Sequence, residues 1–477
     1  MTPQQETDVL EMLQAFQNGK KISELTSFDG NAITALLAVY DTEADASRKA
    51  TLSQLLPYLE EQLSYGIQYD YRVSAPVTPR VGNGILHRTL PIQSRMRGCL
   101  LNDNGEVVKY LNADDWTGET RDGSQGQVMV EIPAHYRKFT DYGYKKEVRL
   151  SEYALPNYTL VPKMYVSAYE ASLQRSSGKL ASVVNTSADY RGGGNQSDWD
   201  GTYRSLLGRP ATSISRTDFR SYARNRKSGS TEWNCYVYEV HKTVFWLFTI
   251  EYATRNCQAD FHAELSGDGY HQGGLGAGVT TLTSSQWSSF NSFNPFVPCG
   301  YTDSLGNNTG VVEYTMLASN GTDTYATVSV PRYRGIENPF GHIWKWTDGI
   351  NVQITPTSGD NVSRVYVASD PANFNDSNYQ GYTHVGNEAR AEGFVRAIIF
   401  GANGEIMPSE VGGSDTTHFP DYHYTNIPSE TTLRGVPFGG TATSGSAAGF
   451  AYASSAYAPS SAAAYLGSRL CFIPEAA

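Results

Sequence analysis

Cysteine is scarce and shows no pattern. The 477 residues hold five, Cys99, Cys235, Cys257, Cys299 and Cys471, with no Cys-x-x-Cys pair among them. A disulfide framework and a zinc site are therefore not expected, and buried thiols are. Positive charge is also short: 37 Lys and Arg stand against 48 Asp and Glu, a formal net charge of -11. Nucleic acid is not an expected partner. No apolar run is long enough to span a bilayer, so membrane insertion is not expected. Met1–Glu6 lacks the basic start and apolar core of a secretory signal, and none is expected.

The most informative absence is local. Residues 441–465 read TATSGSAAGFAYASSAYAPSSAAAY, with no Lys, Glu, Gln, Met, Trp or Val. Ten Ala, six Ser and three Tyr dominate the block instead. Every residue in it is one that a codon ending in a pyrimidine can encode, and Lys, Glu, Gln, Met and Trp are not. Scrambling the adenines of Asn codons has that outcome. An Ala/Ser linker is the alternative, but a linker would not carry Phe450 and Tyr452 at strand spacing, nor run into an apolar strand. Leu466, Ser468, Leu470 and Phe472 alternate with Gly467, Arg469 and Cys471, which is strand spacing. Small side chains fill a core poorly, so the block is expected on a surface held rigid by its flanks. Tyr, Ser and Gly are also the residues of antibody-like binding loops.

A length of 477 residues allows two or three domains. Residues 1–70 form a small mixed helical and strand module. Val9, Leu10, Met12, Leu13 and Phe16 make one apolar helix stripe. Ile22-Ser23-Glu24-Leu25 follows, then expected strands over Leu36–Asp41 and around Lys49–Leu52, and a helix over Gln54–Leu63 with Ser53 as N-cap. This order resembles a short attachment and oligomerisation module of phage tail-fibre proteins. Residues 71–154 are expected to be β-rich. Asn104-Gly105 between two apolar runs predicts a hairpin, Asp122-Gly123 a second turn, and Gln127–Pro133 a strand. The stretch from Asp122 to Phe139 resembles segments of phage and prophage structural proteins.

Beyond residue 155 more specific signals accumulate. Val161–Glu170 alternates like a strand; Asp218–Arg226 reads as a helix packed through Phe219, Tyr222 and Ala223; Val244–Tyr252 is a strongly apolar helix. Asn338–Gly349, containing His342, Trp344 and Trp346, comes later, and Gly467-Ser468-Arg469-Leu470 closes the order. Together these resemble the C-type-lectin-like fold of the formylglycine-generating-enzyme branch. There a strand ending in Tyr-Glu, two helices, a Trp-x-Trp motif and a C-terminal Gly-Phe-Arg-Leu strand follow in that order. With the small-residue block directly before its last strand, the chain resembles a variable protein of a diversity-generating retroelement. The phage tropism determinants of tail-fibre tips belong to that group.

The resemblance implies an α+β chain whose C-terminal C-type-lectin-like domain, 155–477, carries an insertion at about 255–330 and a variable region at about 439–472. It implies adenine-directed replacement of that region on a fixed backbone. The ligand-binding positions would be Thr441, Thr443, Ser444, Ser446, Ala447, Ala451, Ser454, Ser455, Ala456, Tyr457, Ser461, Ala462, Ala463 and Tyr465, flanked by Tyr422 and Tyr424. Gly439, Gly440, Gly445, Gly449, Phe450, Tyr452, Gly467, Arg469 and Leu470 would be scaffold, with Phe450 and Tyr452 on one strand face. The implied partners are a bacterial surface receptor, protein or glycan, two further copies in a homotrimer, and other tail proteins through the N-terminal module. The implied place is the virion, at a tail-fibre tip, or else a bacterial cell surface.

Catalytic readings remain as alternatives. The branch's enzymes use paired cysteines near the C-terminus, where this chain has Cys471 alone. An enzyme of that sulfatase-modifying type, or a tail structural protein without receptor contact, stands beside the expected non-enzymatic binding protein. Asp415, His418, Asp421 and His423 are expected in a solvated loop rather than a metal site. Glu337-Asn338-Pro339 and Trp346-Thr347-Asp348 depart from the calcium motifs of sugar-binding lectins in order and composition. Gly273–Gly278 is expected to be a flexible insertion, not a nucleotide loop. No cofactor is expected.

Overall fold

A computed structural model describes residues 36–41 and 46–475, with side chains from residue 55 onward. The stripe Val9–Phe16 and the segment Ile22–Leu25 lie outside the described residues. Leu36–Asp41 and Ala46–Thr51 pair antiparallel, and a helix follows over Leu52–Leu63, starting one residue before the expected cap. The chain is β-rich with few helices.

Three sheets position the functional region. A five-stranded sheet runs in the order Thr159–Val161, His135–Tyr142, Lys145–Ser151, Tyr65–Asp70 and Arg80–Gly82. A six-stranded sheet runs Trp233–Cys235, Leu470–Phe472, Met164–Ser167, Gln127–Ile132, Arg97–Leu101 and Val107–Tyr110. It therefore joins strands from either side of residue 155 with the last strand of the chain. The Asn104-Gly105 turn forms as expected, with Gly105 at φ +84°.

The largest sheet is built around the long strand Trp344–Ile354. Thr432–Gly439 lies antiparallel on one side of it and Leu466–Gly467 parallel on the other. Lys345 is paired with Phe438 across one edge and with Gly467 across the other. The expected strand pattern of Leu466–Phe472 is thus split between two sheets, Leu466–Gly467 in one and Leu470–Phe472 in the other.

The helix Tyr238–Tyr252 sits at the centre. Its sequence is strongly apolar, and all of its residues but Glu239 are buried; its buried charges take partners inside, Lys242 at Glu405 and Glu251 at Arg334. Trp246 Nε1 donates to Gly404 O at 2.8 Å, and His241 Nε2 meets Phe450 O at 2.7 Å. A single apolar cluster runs from Tyr65 and Ile132 through this helix to Phe450 and Cys471. The helix Arg216–Arg224 is capped by Ser215, whose Oγ accepts from Asp218 N at 3.1 Å. It buries Phe219 and Ala223 as expected, and with them Arg216 and Arg220, while Tyr222 stays half-exposed. The Gly273–Gly278 stretch departs from the expected flexible insertion: Leu275 and Val279 are fully buried, and a Cβ on Gly278 would stand 2.8 Å from the Phe340 ring.

Arg469 ties these parts together from a position 0% exposed. Its Nη1 donates to Ser167 O at 3.1 Å, and its Nη2 donates to Asn338 O at 2.6 Å and to Glu337 O. Beside it, Ser468 Oγ donates to Trp346 O at 2.8 Å. Arg469→Met keeps the apolar stem but leaves three buried carbonyls without their donor. Each such group costs roughly 1–3 kcal/mol, so a loss of about 3 kcal/mol or more is expected in urea unfolding. A loss under about 0.5 kcal/mol, the size of a neutral surface change, would show that Arg469 does not hold the sheets together.

Candidate functional site

The candidate site is the block 441–465, and its backbone explains its shape. Gly439 at φ +100° and Gly440 at φ +82° turn the chain out of the strand Thr432–Gly439, a conformation that favours glycine. The strand Gly449–Ser454 then returns antiparallel to it, and also lies parallel to Phe419–Tyr424. Main-chain bonds fix the rest. Ala442 N donates to His342 O at 2.9 Å, Gly445 N to Thr280 O at 2.8 Å, and Ser455 N to Tyr424 O at 2.9 Å. Further along, Gly435 N reaches Tyr457 O at 3.0 Å, Arg216 N reaches Pro459 O at 3.0 Å, and Ser213 N reaches Ala463 O at 2.9 Å. Trp344 N reaches Tyr465 O at 2.9 Å. None of these bonds depends on a side chain within the block.

The fourteen positions divide by depth. Ser446 and Ala462 are exposed, and Thr443, Ser444, Ala447, Ala456, Tyr457, Ser461, Ala463 and Tyr465 are half-buried. Thr441, Ala451, Ser454 and Ser455 are buried, so the expectation that they contact a ligand is corrected. The reason is packing. Ala448, Ala451 and Ala453 belong to the main apolar cluster, and small side chains there let the backbone approach the core. Gly449 is the extreme case: a Cβ would fall 1.7 Å from Asp421 Oδ1. Ser455 Oγ points inward to Glu388 Oε1 at 2.7 Å.

Phe450 and Tyr452 do not share a face. Phe438 pairs with Ala453 but Gly439 pairs with Gly449, so one step on the first strand faces four on the second. This bulge breaks the alternation. Phe450 enters the core against Phe248, with ring centroids 5.3 Å apart. Tyr452 turns outward, 4.6 Å from the Trp344 ring and 6.0 Å from Tyr422.

The resemblance places Tyr452 in the scaffold, yet it lies in the middle of an aromatic face. Phe394 packs on Tyr422 at 5.3 Å, and Tyr457 on Trp346 at 6.1 Å. Tyr465 lies 6.4 Å from Phe293. Tyr424 is 42% exposed and borders the block through its pairing with Ser454. Burial, with Tyr465 close by, pushes the Tyr457 phenol up, so it stays neutral and able to donate. The five tyrosines together offer half-buried rings and hydroxyls on a backbone that main-chain bonds hold still. Such rings give contact area at low entropic cost.

The segment behind this face is not the expected solvated loop. Phe419–Tyr424 is a strand in which Asp421 and His423 are buried, while Asp415 lies just before it. Asp421 Oδ2 accepts from Ala451 N at 2.7 Å, and His423 Nε2 meets Ala389 O at 2.9 Å. Burial pushes the Asp421 carboxyl up to about 8, against the Ala451 N–H, and likewise raises Glu388 to about 8. The remaining candidates are interior. His342 Nδ1 donates to Glu170 Oε2 at 2.5 Å, and Lys345 Nζ lies 2.8 Å from Glu170 Oε1. Although burial works against it, Lys345 and His342 hold the Glu170 carboxyl down to about 2. Asp348 pairs with Arg220 and Glu337 accepts from Thr302, both inside the core. Cys471 is fully buried, and burial pushes its thiol up to about 12.

No family profile matches the chain, and no curated protein matches it in sequence. Among solved structures, PvdO from Pseudomonas aeruginosa aligns at 12% identity over 74% of this chain and 97% of its own, with a TM-score of 0.29. The U1 and I1 variants of the Major Tropism Determinant align at 11% and 10% identity. Each covers 95% of this chain and 97% of its own, at a TM-score of 0.20. These likenesses assign no family.

Asp421 sets a pH dependence whose sign can be worked out. Its folded carboxyl lies near 8 and its unfolded one near the ordinary value of 3.8, so between these limits the folded chain holds the extra proton. The stabilisation is full below about pH 4 and is lost as pH rises through 8. Asp421→Asn keeps an acceptor for Ala451 N and cannot ionise. Melting temperatures measured from pH 4 to 9 should therefore fall less with rising pH in Asp421→Asn than in the parent chain. Parallel curves would place the Asp421 carboxyl in its ordinary range.

Proposed function

We propose that this chain is a non-enzymatic receptor-binding protein whose contact surface is the tyrosine-lined face of residues 441–465, with Tyr422 and Tyr424 beside it. The observation that carries the reading is the way the block is held. Seven of its anchoring bonds run between main-chain atoms, and the side-chain anchors at Ser455 and Asp421 lie on its inner side, so its outward side chains are free to differ without loss of the fold. That is the requirement of a display surface, and it supports the compositional pattern of the block. Diversification by adenine-directed retrohoming is the mechanism that fits the pattern. It requires a non-coding near-copy of codons 435–472, differing mainly at adenines, beside a reverse-transcriptase gene.

In this reading the receptor is a protein or glycan of a bacterial surface, and the chain works at a phage tail-fibre tip, joined to other tail proteins through residues 1–70. A homotrimer suits the role, because three weak sites on one particle act at high effective concentration. Light scattering that finds a stable monomer at micromolar concentration would remove the trimer from the proposal.

Tyr457 and Tyr465 are the large half-buried anchors, and Phe450 is a core residue of the same block. Truncating an aromatic anchor costs about 2 kcal/mol or more of binding, roughly thirtyfold in affinity. Tyr457→Ala and Tyr465→Ala should lower adsorption to that extent. Their stability cost should stay near 1 kcal/mol, the worth of one aromatic pair. Phe450→Ala should cost roughly 3–5 kcal/mol of stability. Tyrosine variants that fold normally and adsorb fully would put the contact surface elsewhere.

A further inference from the structure

A cleft of about 300 Å3 opens between the five-stranded sheet and the largest sheet, lined by Tyr69, Tyr71, Lys146, Ile398, Glu410 and Phe419 among others. It lies at the far end of the strand Phe419–Tyr424 from the tyrosine face. Six residues of extended chain put the two roughly 17 Å apart.

Arg255 stands against two rings of this cleft. It is 2% exposed, and its guanidinium carbon is 4.8 Å from the Tyr69 ring centroid and 4.9 Å from that of Phe419. Nη2 donates to Ala75 O at 2.7 Å. Nε and Nη1 have no hydrogen-bond partner among the described residues. Nor does any carboxylate form an ion pair with Arg255 among them. The hydroxyl of Tyr69, a residue 3% exposed, is likewise without a partner there, as is Nδ1 of His418, beside Phe419. A buried cation without a counter-charge and a buried phenol without an acceptor are both costly. One ligand satisfies both: an anion that accepts from the phenol and balances the guanidinium.

The walls narrow the choice of anion. Tyr71 presents half-buried apolar surface and Ile398 a small edge of it, over the fully buried Phe419 ring, which suits an organic body better than a hydrated inorganic ion. The volume is at the lower end for a small-molecule site. Lys146 adds a second cation, partly neutralised by Asp141 at 2.6 Å. Glu410 offers an acceptor for hydroxyl groups and repels a second negative charge. We propose that this cleft binds a monoacidic sugar unit, its carboxylate accepting from the Tyr69 hydroxyl with Arg255 as counter-charge and its C–H face on the Tyr71 ring. Burial pulls Arg255 down to about 10, still charged at neutral pH, as the role requires.

Calorimetric titration of the full chain with glucuronate, glucose and inorganic phosphate, at constant ionic strength, tests this. Saturable glucuronate binding is expected, with glucose at least about tenfold weaker and phosphate weaker still, since the hydrogen bond to the charged group is lost or the body does not fit. Tyr69→Phe removes only an unpartnered hydroxyl, so it should fold as the parent does and bind glucuronate about tenfold more weakly. Arg255→Gln should abolish binding; if it fails to fold, Tyr69→Phe carries the test alone. Equal affinity for glucose and glucuronate, no glucuronate binding by the parent, or undiminished binding by Tyr69→Phe would each overturn the proposal.

Discussion

Both ends of the small-residue block are held on one strand, and the rest of the C-terminal region depends on this. Lys345 has Phe438 as its neighbour on one side and Gly467 on the other. The chain turns away from that strand pair at Gly439, lays Gly449–Ser454 into the same sheet on the outer side, and ends at Leu466–Gly467, two strand spacings from where it left, roughly 10 Å. Everything between is therefore a closed excursion with fixed ends. Loop-closure entropy is met once by the strand pairing, whatever residues the excursion contains.

Inside that frame the protein separates two tasks. Main-chain bonds from His342, Thr280, Tyr424, Ser213, Arg216, Gly435 and Trp344 hold the excursion in place. Small residues bring its inner side onto the core, where Ala451 and Ala453 join the main cluster and Gly449 lies against the Asp421 carboxyl. The outer side is left to Tyr452, Tyr457 and Tyr465, which pack edge-to-face against Trp344, Trp346 and Phe293. The composition of the block thus has two physical origins. Alanine and glycine serve close approach on one side, and tyrosine serves contact area on the other.

Buried charge does the joining elsewhere. Glu170 meets His342 and Lys345, Arg220 forms a two-pronged pair with Asp348, and Arg469 donates to three carbonyls of two distant segments. Each links parts of the chain more than a hundred residues apart. Such pairs are specific because desolvation penalises any arrangement that leaves one member alone. The Trp344-Lys345-Trp346-Thr347-Asp348 motif is accordingly a hub of interior contacts.

Local patterns were legible in the residues. The hairpin at Asn104-Gly105, the strand over Gln127–Ile132 and the strongly apolar helix ending at Tyr252 follow from spacing and turn chemistry, which act over a few residues. The peculiarity of residues 441–465 was legible too, from composition. Which way its side chains point was not. Phe450 and Tyr452 have strand spacing, but a bulge set by a partner strand ten residues earlier turns them apart. Ser454 and Ser455 look like surface residues, yet both are buried, and Glu388 and Thr425 meet the Ser455 hydroxyl from below. Arg255 and Tyr69 lie far apart in sequence, and neither is unusual until folding buries both beside one cleft. Spacing and composition place many of the elements and the limits of the unusual block, because periodicity and turn preference are properties of neighbouring residues. Faces, depth and unpaired charge come with the fold alone, because they depend on which distant atoms arrive on the other side.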